Sequence, residues 1–215
     1  MPLQNRVDPL GRIHAVPARG LFTGNRGVIH DPATKTLLSR RWTTKAWIVC
    51  ALEHPGGHRR EPMGRNAPSG GAGWTELFFL DEVTALAAGH RPCFYCRREA
   101  ARAFGAAFVA GNGLGRASAP GIDAILHRQR HAAGAALPAL DAAAIRALPD
   151  GAMVEAGKTI LALHAGRAWP WGFGGYGRSQ TLPSAARLIT PAATVAALKA
   201  GFRPVRHPSL TQRNQ

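Results

Sequence analysis

Apolar residues in the first fifty positions come in short runs separated by turn formers. Arg12-Ile13-His14-Ala15-Val16, Gly27-Val28-Ile29-His30 and Ala46-Trp47-Ile48-Val49-Cys50 are divided by Asp8-Pro9, Gly24-Asn25 and Asp31-Pro32. Runs this short, with such breakers between them, predict strands and turns. Residues 55–73 hold too much glycine and proline for regular structure and predict a loop that a partner would order. Trp74-Thr75-Glu76-Leu77-Phe78-Phe79 predicts a buried strand. Asp81 is placed to cap a helix over 82–88, and Gly89 to end it in a left-handed turn. The period then lengthens. Ala100, Phe104, Ala107 and Phe108 form one stripe of a helix over 97–110; Ile122, Ile125 and Leu126 do so for 122–132, and 141–148 predicts a third. From Pro149 short strands return at 152–155, 159–163 and 167–171, a meander. A last helix over 191–200 is expected to carry Pro191 at its first position and Gly201 as its stop.

Composition adds one strong departure from the ordinary. A chain of 215 residues with 46% hydrophobic content can bury a sizeable core, but the net charge is +15. Only Lys35, Lys45, Lys158 and Lys199 among the 27 basic residues are lysines, which leaves 23 arginines. Guanidinium groups present planar forks that match phosphate oxygens in pairs, so the balance points to a polyanion, nucleic acid first. Arginine enrichment also accompanies GC-rich coding, which accounts for part of it. No run is apolar enough to suggest a membrane span, and Met1-Pro2-Leu3-Gln4-Asn5-Arg6 lacks a hydrophobic signal core, so a cytoplasmic protein is expected.

The sulfur atoms refine this picture. Three cysteines argue against a disulfide framework and for reduced, metal-bound thiols. Cys93-Phe94-Tyr95-Cys96 is a tetrahedral half-site on a tight turn, preceded by Arg91 and followed by Arg97 and Arg98. Cys50 ends an apolar run, and His54 follows four residues later, completing a Cys₃His set with paired spacings. His30 and His90 are alternatives for the fourth ligand, and Cys50 as a buried core thiol is the plain alternative to ligation. Zn²⁺ is the expected ion. Arg59, Arg60, Arg91, Arg97 and Arg98 are the expected phosphate contacts.

The stretch from about residue 40 to 98 resembles the metal-binding domain of the bacterial Ada DNA repair proteins. The resemblance rests on Phe78-Phe79, the alanines from Ala85 to Ala88, then Gly89-His90-Arg91-Pro92-Cys93-Phe94-Tyr95-Cys96, and more loosely on Thr43-Thr44 through Cys50. In that family a cysteine stands where this chain has His54. The resemblance implies a zinc-bound DNA contact module in which Cys50 accepts a methyl group from a methylated backbone phosphate. A histidine in place of a cysteine makes the site less negative and Cys50 a poorer nucleophile.

A second constellation lies downstream. Asp123, His127 and His131 fall four apart on one predicted helix face, flanked by Arg128 and Arg130. Histidines so spaced could bind a metal or act as general base in an endonuclease; the alternative is a basic, solvated face touching phosphate. Trp169-Pro170-Trp171-Gly172-Phe173 could stack on bases, or plug the end of a sheet. The expected fold is α+β: a zinc-centred α/β module with its following helices over 1–135, and a small β-rich module over 149–207. The expected partner is double-stranded DNA, with RNA as an alternative.

Overall fold

The computed structural model describes residues 1–53, 57, 61–131 and 137–210. Strands β1 (Arg6–Val7), β2 (Ile13–His14), β3 (Phe22–Asn25), β4 (His30–Asp31), β5 (Thr36–Leu37), β6 (Ile48–Cys50) and β7 (Leu77–Phe79) lead into helix α1 (Glu82–Ala87) and strand β8 (Arg91–Pro92). Helices α2 (Arg98–Gly111) and α3 (Ala119–His131) follow. The remainder comprises β9 (Ala139–Asp141), α4 (Ala142–Arg146), β10 (Met153–Ala156), β11 (Thr159–His164), β12 (Arg167–Gly172), β13 (Gly175–Tyr176), β14 (Ala185–Leu188) and α5 (Ala192–Lys199). The fold class is α+β. No described helix is long and apolar enough to cross a membrane.

Two six-stranded sheets organise the chain, the first mixed and the second antiparallel. The first sheet has the order β2-β1-β7-β3-β6-β8 and the second β13-β12-β11-β10-β14-β9. Strand β3 was not anticipated, because Gly24-Asn25 reads as a turn. Gly24 instead serves close approach: a Cβ there would stand 2.1 Å from the Ile48 carbonyl oxygen. Only glycine lets β3 lie between β6 and β7 at this point. The sheet's inner face buries Val7, Phe22, Val49, Leu77 and Phe79.

Helix α1 is the hub between the layers. Asp81 caps it as expected, accepting from the Thr84 amide at 2.8 Å, and Gly89 closes it with φ +81°. The same Asp81 carboxylate accepts from the Tyr176 hydroxyl at 2.9 Å and the His207 amide at 3.0 Å. Burial raises the Asp81 pKa above the usual carboxylate value despite these donors. Trp171 Nε1 donates to Thr84 Oγ1 at 3.0 Å, and Trp169 is buried beside Leu80 and Val83. The C-terminal aromatics are thus packed against the first half of the chain, the sheet-plug alternative.

A helical cluster covers the other side. Leu86 of α1, Phe104 and Phe108 of α2, Ile122 and Leu126 of α3, and Ala197 and Leu198 of α5 form one core. Helix α5 begins at Ala192, with Pro191 standing before it as the cap rather than at the first helical position. The second half of the expected loop is tied down within the molecule. Asn66 donates to the Trp74 carbonyl at 3.0 Å and Glu76 at 3.1 Å, while the Met63 amide donates to Glu76 at 3.2 Å. Arg59 and Arg60 lie outside the described residues.

Candidate metal centre

Strand pairing brings the distant cysteines together. β6 and β8 run parallel, with Ile48 opposite Arg91 and Val49 opposite Pro92. The Arg91 amide donates to the Trp47 carbonyl and the Cys93 amide to the Val49 carbonyl, both at 3.0 Å. Pro92 falls between these two donors, so its missing N–H costs no ladder bond, and β8 is an outer strand where proline is tolerated. Cys50 therefore ends β6 beside the point where Cys93 leaves β8.

The chain then turns on itself. The Tyr95 amide points at Cys93 Sγ from 3.4 Å, and the Arg97 amide donates to the Cys93 carbonyl at 3.0 Å. This knuckle returns Cys96 to the cluster. The sulfurs of Cys50, Cys93 and Cys96 all lie within 4.8 Å of one another, with Cys50 and Cys93 buried and Cys96 half-buried. Among the described residues this is the one group of three or more sulfur, imidazole or carboxylate donors that close.

The electrostatics match ligation. Hydrogen bonding to the Cys93 and Cys96 sulfurs, followed by burial, pushes the Cys50 thiol far up. Hydrogen bonds from Cys50 and Cys96 draw Cys93 well down. Such a set holds one thiolate easily and resists a second unless a cation neutralises it. A soft divalent ion bound tetrahedrally is the chemistry that satisfies three clustered sulfurs, with about 2.3 Å per zinc–sulfur bond. The cluster can hold a metal ion.

The histidine alternatives separate. His54 lies outside the described residues. Both His30 ring nitrogens are engaged elsewhere, Nδ1 with Thr75 Oγ1 at 2.6 Å and Nε2 with the Gly64 carbonyl at 3.3 Å. His90 is fully buried between Trp47 and Phe79, and Arg26 Nε approaches its Nε2 at 3.3 Å. Neither ring joins the sulfurs. Burial, then the charges of Arg26 and Arg130, hold the His90 pKa well below 6.5.

A pH dependence follows with a definite sign. The unfolded chain protonates His90 below about 6.5, whereas the folded chain keeps it neutral, so its contribution is complete above that pH and fades as pH falls. Wild type is expected to lose about 2 kcal/mol more than His90→Gln between pH 7 and pH 5 in urea unfolding. Parallel losses in the two proteins would refute it.

The arginines divide between interior and surface. Arg91 is buried and grips Asp123 with two parallel bonds, Nε to Oδ1 and Nη2 to Oδ2, each 2.8 Å. Arg97 pairs with buried Glu82 at 2.5 Å and stacks over Phe22. Both forks are spent inside the molecule; Arg98 alone of the three is exposed. The long-range partners Asp123 and Glu82 carry no signal in local spacing.

Asp123 is likewise removed from the expected helix-face triad. His127 sits half-buried with its ring edge against Trp42, centroids 4.7 Å apart. The side chain of His131 is outside the described residues. The arrangement that does form on α3 is the Arg91–Asp123 clamp, which anchors β8 and hence the knuckle.

No protein-family model, curated protein or solved structure matches this chain.

Proposed function

We propose that the protein is a zinc-centred nucleic-acid-binding protein of the DNA repair or processing kind, with the Ada-like stretch as its working part. The observation that carries the reading is the convergence of Cys50, Cys93 and Cys96 under an exposed knuckle. His54 supplies the fourth ligand. Phe94 and Tyr95 at the knuckle tip are 38% and 71% exposed, an unusual outlay of aromatic surface. Arg98 and Arg102 on the adjoining α2 are exposed, as are Arg40, Arg41 and Lys45 ahead of β6. Rings flanked by guanidinium groups suit a nucleic acid, the cations engaging phosphate and the rings engaging bases or sugars.

The ion's role in this reading is structural. Cys50 is only 7% exposed, which hinders the in-line approach that methyl transfer to its sulfur requires. The ion instead fixes the knuckle on the sheet edge and so presents the surface.

Binding to labelled duplex DNA, followed by anisotropy across a salt series, tests the proposal. Affinity should fall steeply with salt, and Arg98→Ala should flatten the log–log slope by about 1. Tighter retention on RNA in the same buffer would redirect the reading to RNA. Plasmid cleavage in Mg²⁺ that His127→Ala abolishes would replace it with a nuclease.

A further inference from the structure

Away from the sulfur cluster, a buried arginine and a half-buried one form no direct ion pair with an acid among the described residues. Arg26 is 2% exposed; its Nε approaches His90, its Nη1 donates to the Gly11 carbonyl at 2.9 Å, and its Nη2 has no hydrogen-bond partner among the described residues. Arg130 donates through Nη2 to the Lys45 and Asp123 carbonyls at 3.0 and 3.3 Å, while its Nε and Nη1 have none. Both guanidinium groups lie over the Trp47 ring, at 3.9 and 4.3 Å from its centroid. No acid is hidden elsewhere, because none of the residues outside the described set is aspartate or glutamate. Asp8 is bound to His14, and Asp123 to Arg91.

Both groups stay cationic at neutral pH. Burial, then the neighbouring Arg130 charge, draws Arg26 down only to about 9, and burial draws Arg130 to about 10. His90 cannot neutralise them. Two adjoining cations with three buried donor nitrogens that find no partner among the described residues are a costly arrangement unless an anion offsets the charge.

Beside them is a cavity of about 660 Å³. Its wall includes Gly11, Trp47 and Arg130, with Arg12 and the Glu155–Arg187 pair also contributing. Arg26 Nη2 lies directly behind Gly11: a Cβ on that glycine would stand 3.4 Å from it. Gly89 has a matching role, since a Cβ there would fall 2.5 Å from Arg130 Cγ and displace the side chain. Leu10, Ala88, Leu137 and Ile189 give the wall an apolar side, and Gln129 and Thr190 add polar groups to it. The volume suits a small organic ligand.

We infer that this cavity binds a phosphorylated small molecule of mononucleotide size, its phosphate held by Arg130 with Arg12 beside it and the Arg26 charge behind Gly11, and its organic part lying along the apolar wall. Guanidinium forks match phosphate oxygens, and a desolvated pocket strengthens that contact. The inference uses neither the sulfur cluster nor the nucleic-acid surface, so it stands or falls separately from them.

The test is calorimetric titration of the full-length, metal-loaded protein with inorganic phosphate and with adenosine 5′-monophosphate. The nucleotide should bind at least about tenfold more tightly than phosphate, because it also covers the apolar wall. Arg130→Met, which keeps the packing stem, should weaken both by about tenfold or more. Arg12→Ala, an exposed change, should weaken them about threefold and guards against a folding defect in the first variant. No binding to wild type at about 10 mM ligand would overturn the inference. So would equal affinity in wild type and both variants, or a 5′-phosphorylated oligonucleotide binding more tightly than the mononucleotide.

Discussion

Purified protein is expected to carry one zinc ion per chain, and Cys93→Ser to carry none. Cys93 is the sulfur that joins the strand to the knuckle, receiving the Tyr95 amide and standing beside Cys50. Its loss leaves two sulfurs and the proposed His54, one ligand short of a closed tetrahedral site. The effect on stability is set by mass action: an ion bound about a thousandfold above its dissociation constant contributes about 4 kcal/mol. That corresponds to a fall in Tm of about 10 °C for a chain of this size. The variant should nevertheless fold, because β6 and β7 are held by the core around Val49, Leu77 and Phe79, and β8 by its pairing with β6 and the Arg91–Asp123 bonds. Metal analysis together with calorimetry of wild type and variant checks both halves. A metal-free wild type with an unchanged melt would remove the zinc reading.

Arg91→Ala is expected to be as damaging as loss of the ion, without touching a ligand. The Arg91–Asp123 pair is 7% exposed on each side and bonded through two parallel contacts. Truncating one member strands the other charge in the interior, which costs about 3–5 kcal/mol. Arg91→Met with Asp123→Leu should recover most of the loss, since an apolar pair of similar volume needs no compensation. Urea unfolding of the single and double variants decides this. A single variant within about 1 kcal/mol of wild type would mean that water reaches the pair. Because Arg91 stands two residues before Cys93, the single variant should also hold its metal less tightly.

The parts of this architecture that a reader of the sequence can see are those encoded locally. Asp81 and Gly89 bracket α1 as their chemistry dictates, and the Cys93–Cys96 spacing announces a knuckle. Cys50 was legible for a different reason: it ends an apolar run, and such ends meet other strand ends. What escaped were the arginines and glycines whose meaning depends on a distant partner. Arg91 and Arg97 look like free cations beside the cysteines until Asp123 and Glu82 appear across the fold. Gly24 looks like a turn until Ile48 lies against it. The clustering of Arg26, Trp47, His90 and Arg130 has no local trace, since its members come from four segments.

The parallel pairing of β6 with β8 has a consequence for how this chain can vary. Cys50 and Cys93 are registered by main-chain bonds between their own strands, with no help from the residues that connect them. Where the two sulfurs stand is therefore almost independent of the length of chain that joins the strands, since lengthening a connection adds only slowly to its closure entropy. Insertions beyond His54 can accumulate and new recognition elements can be tried, while the inorganic centre keeps its shape.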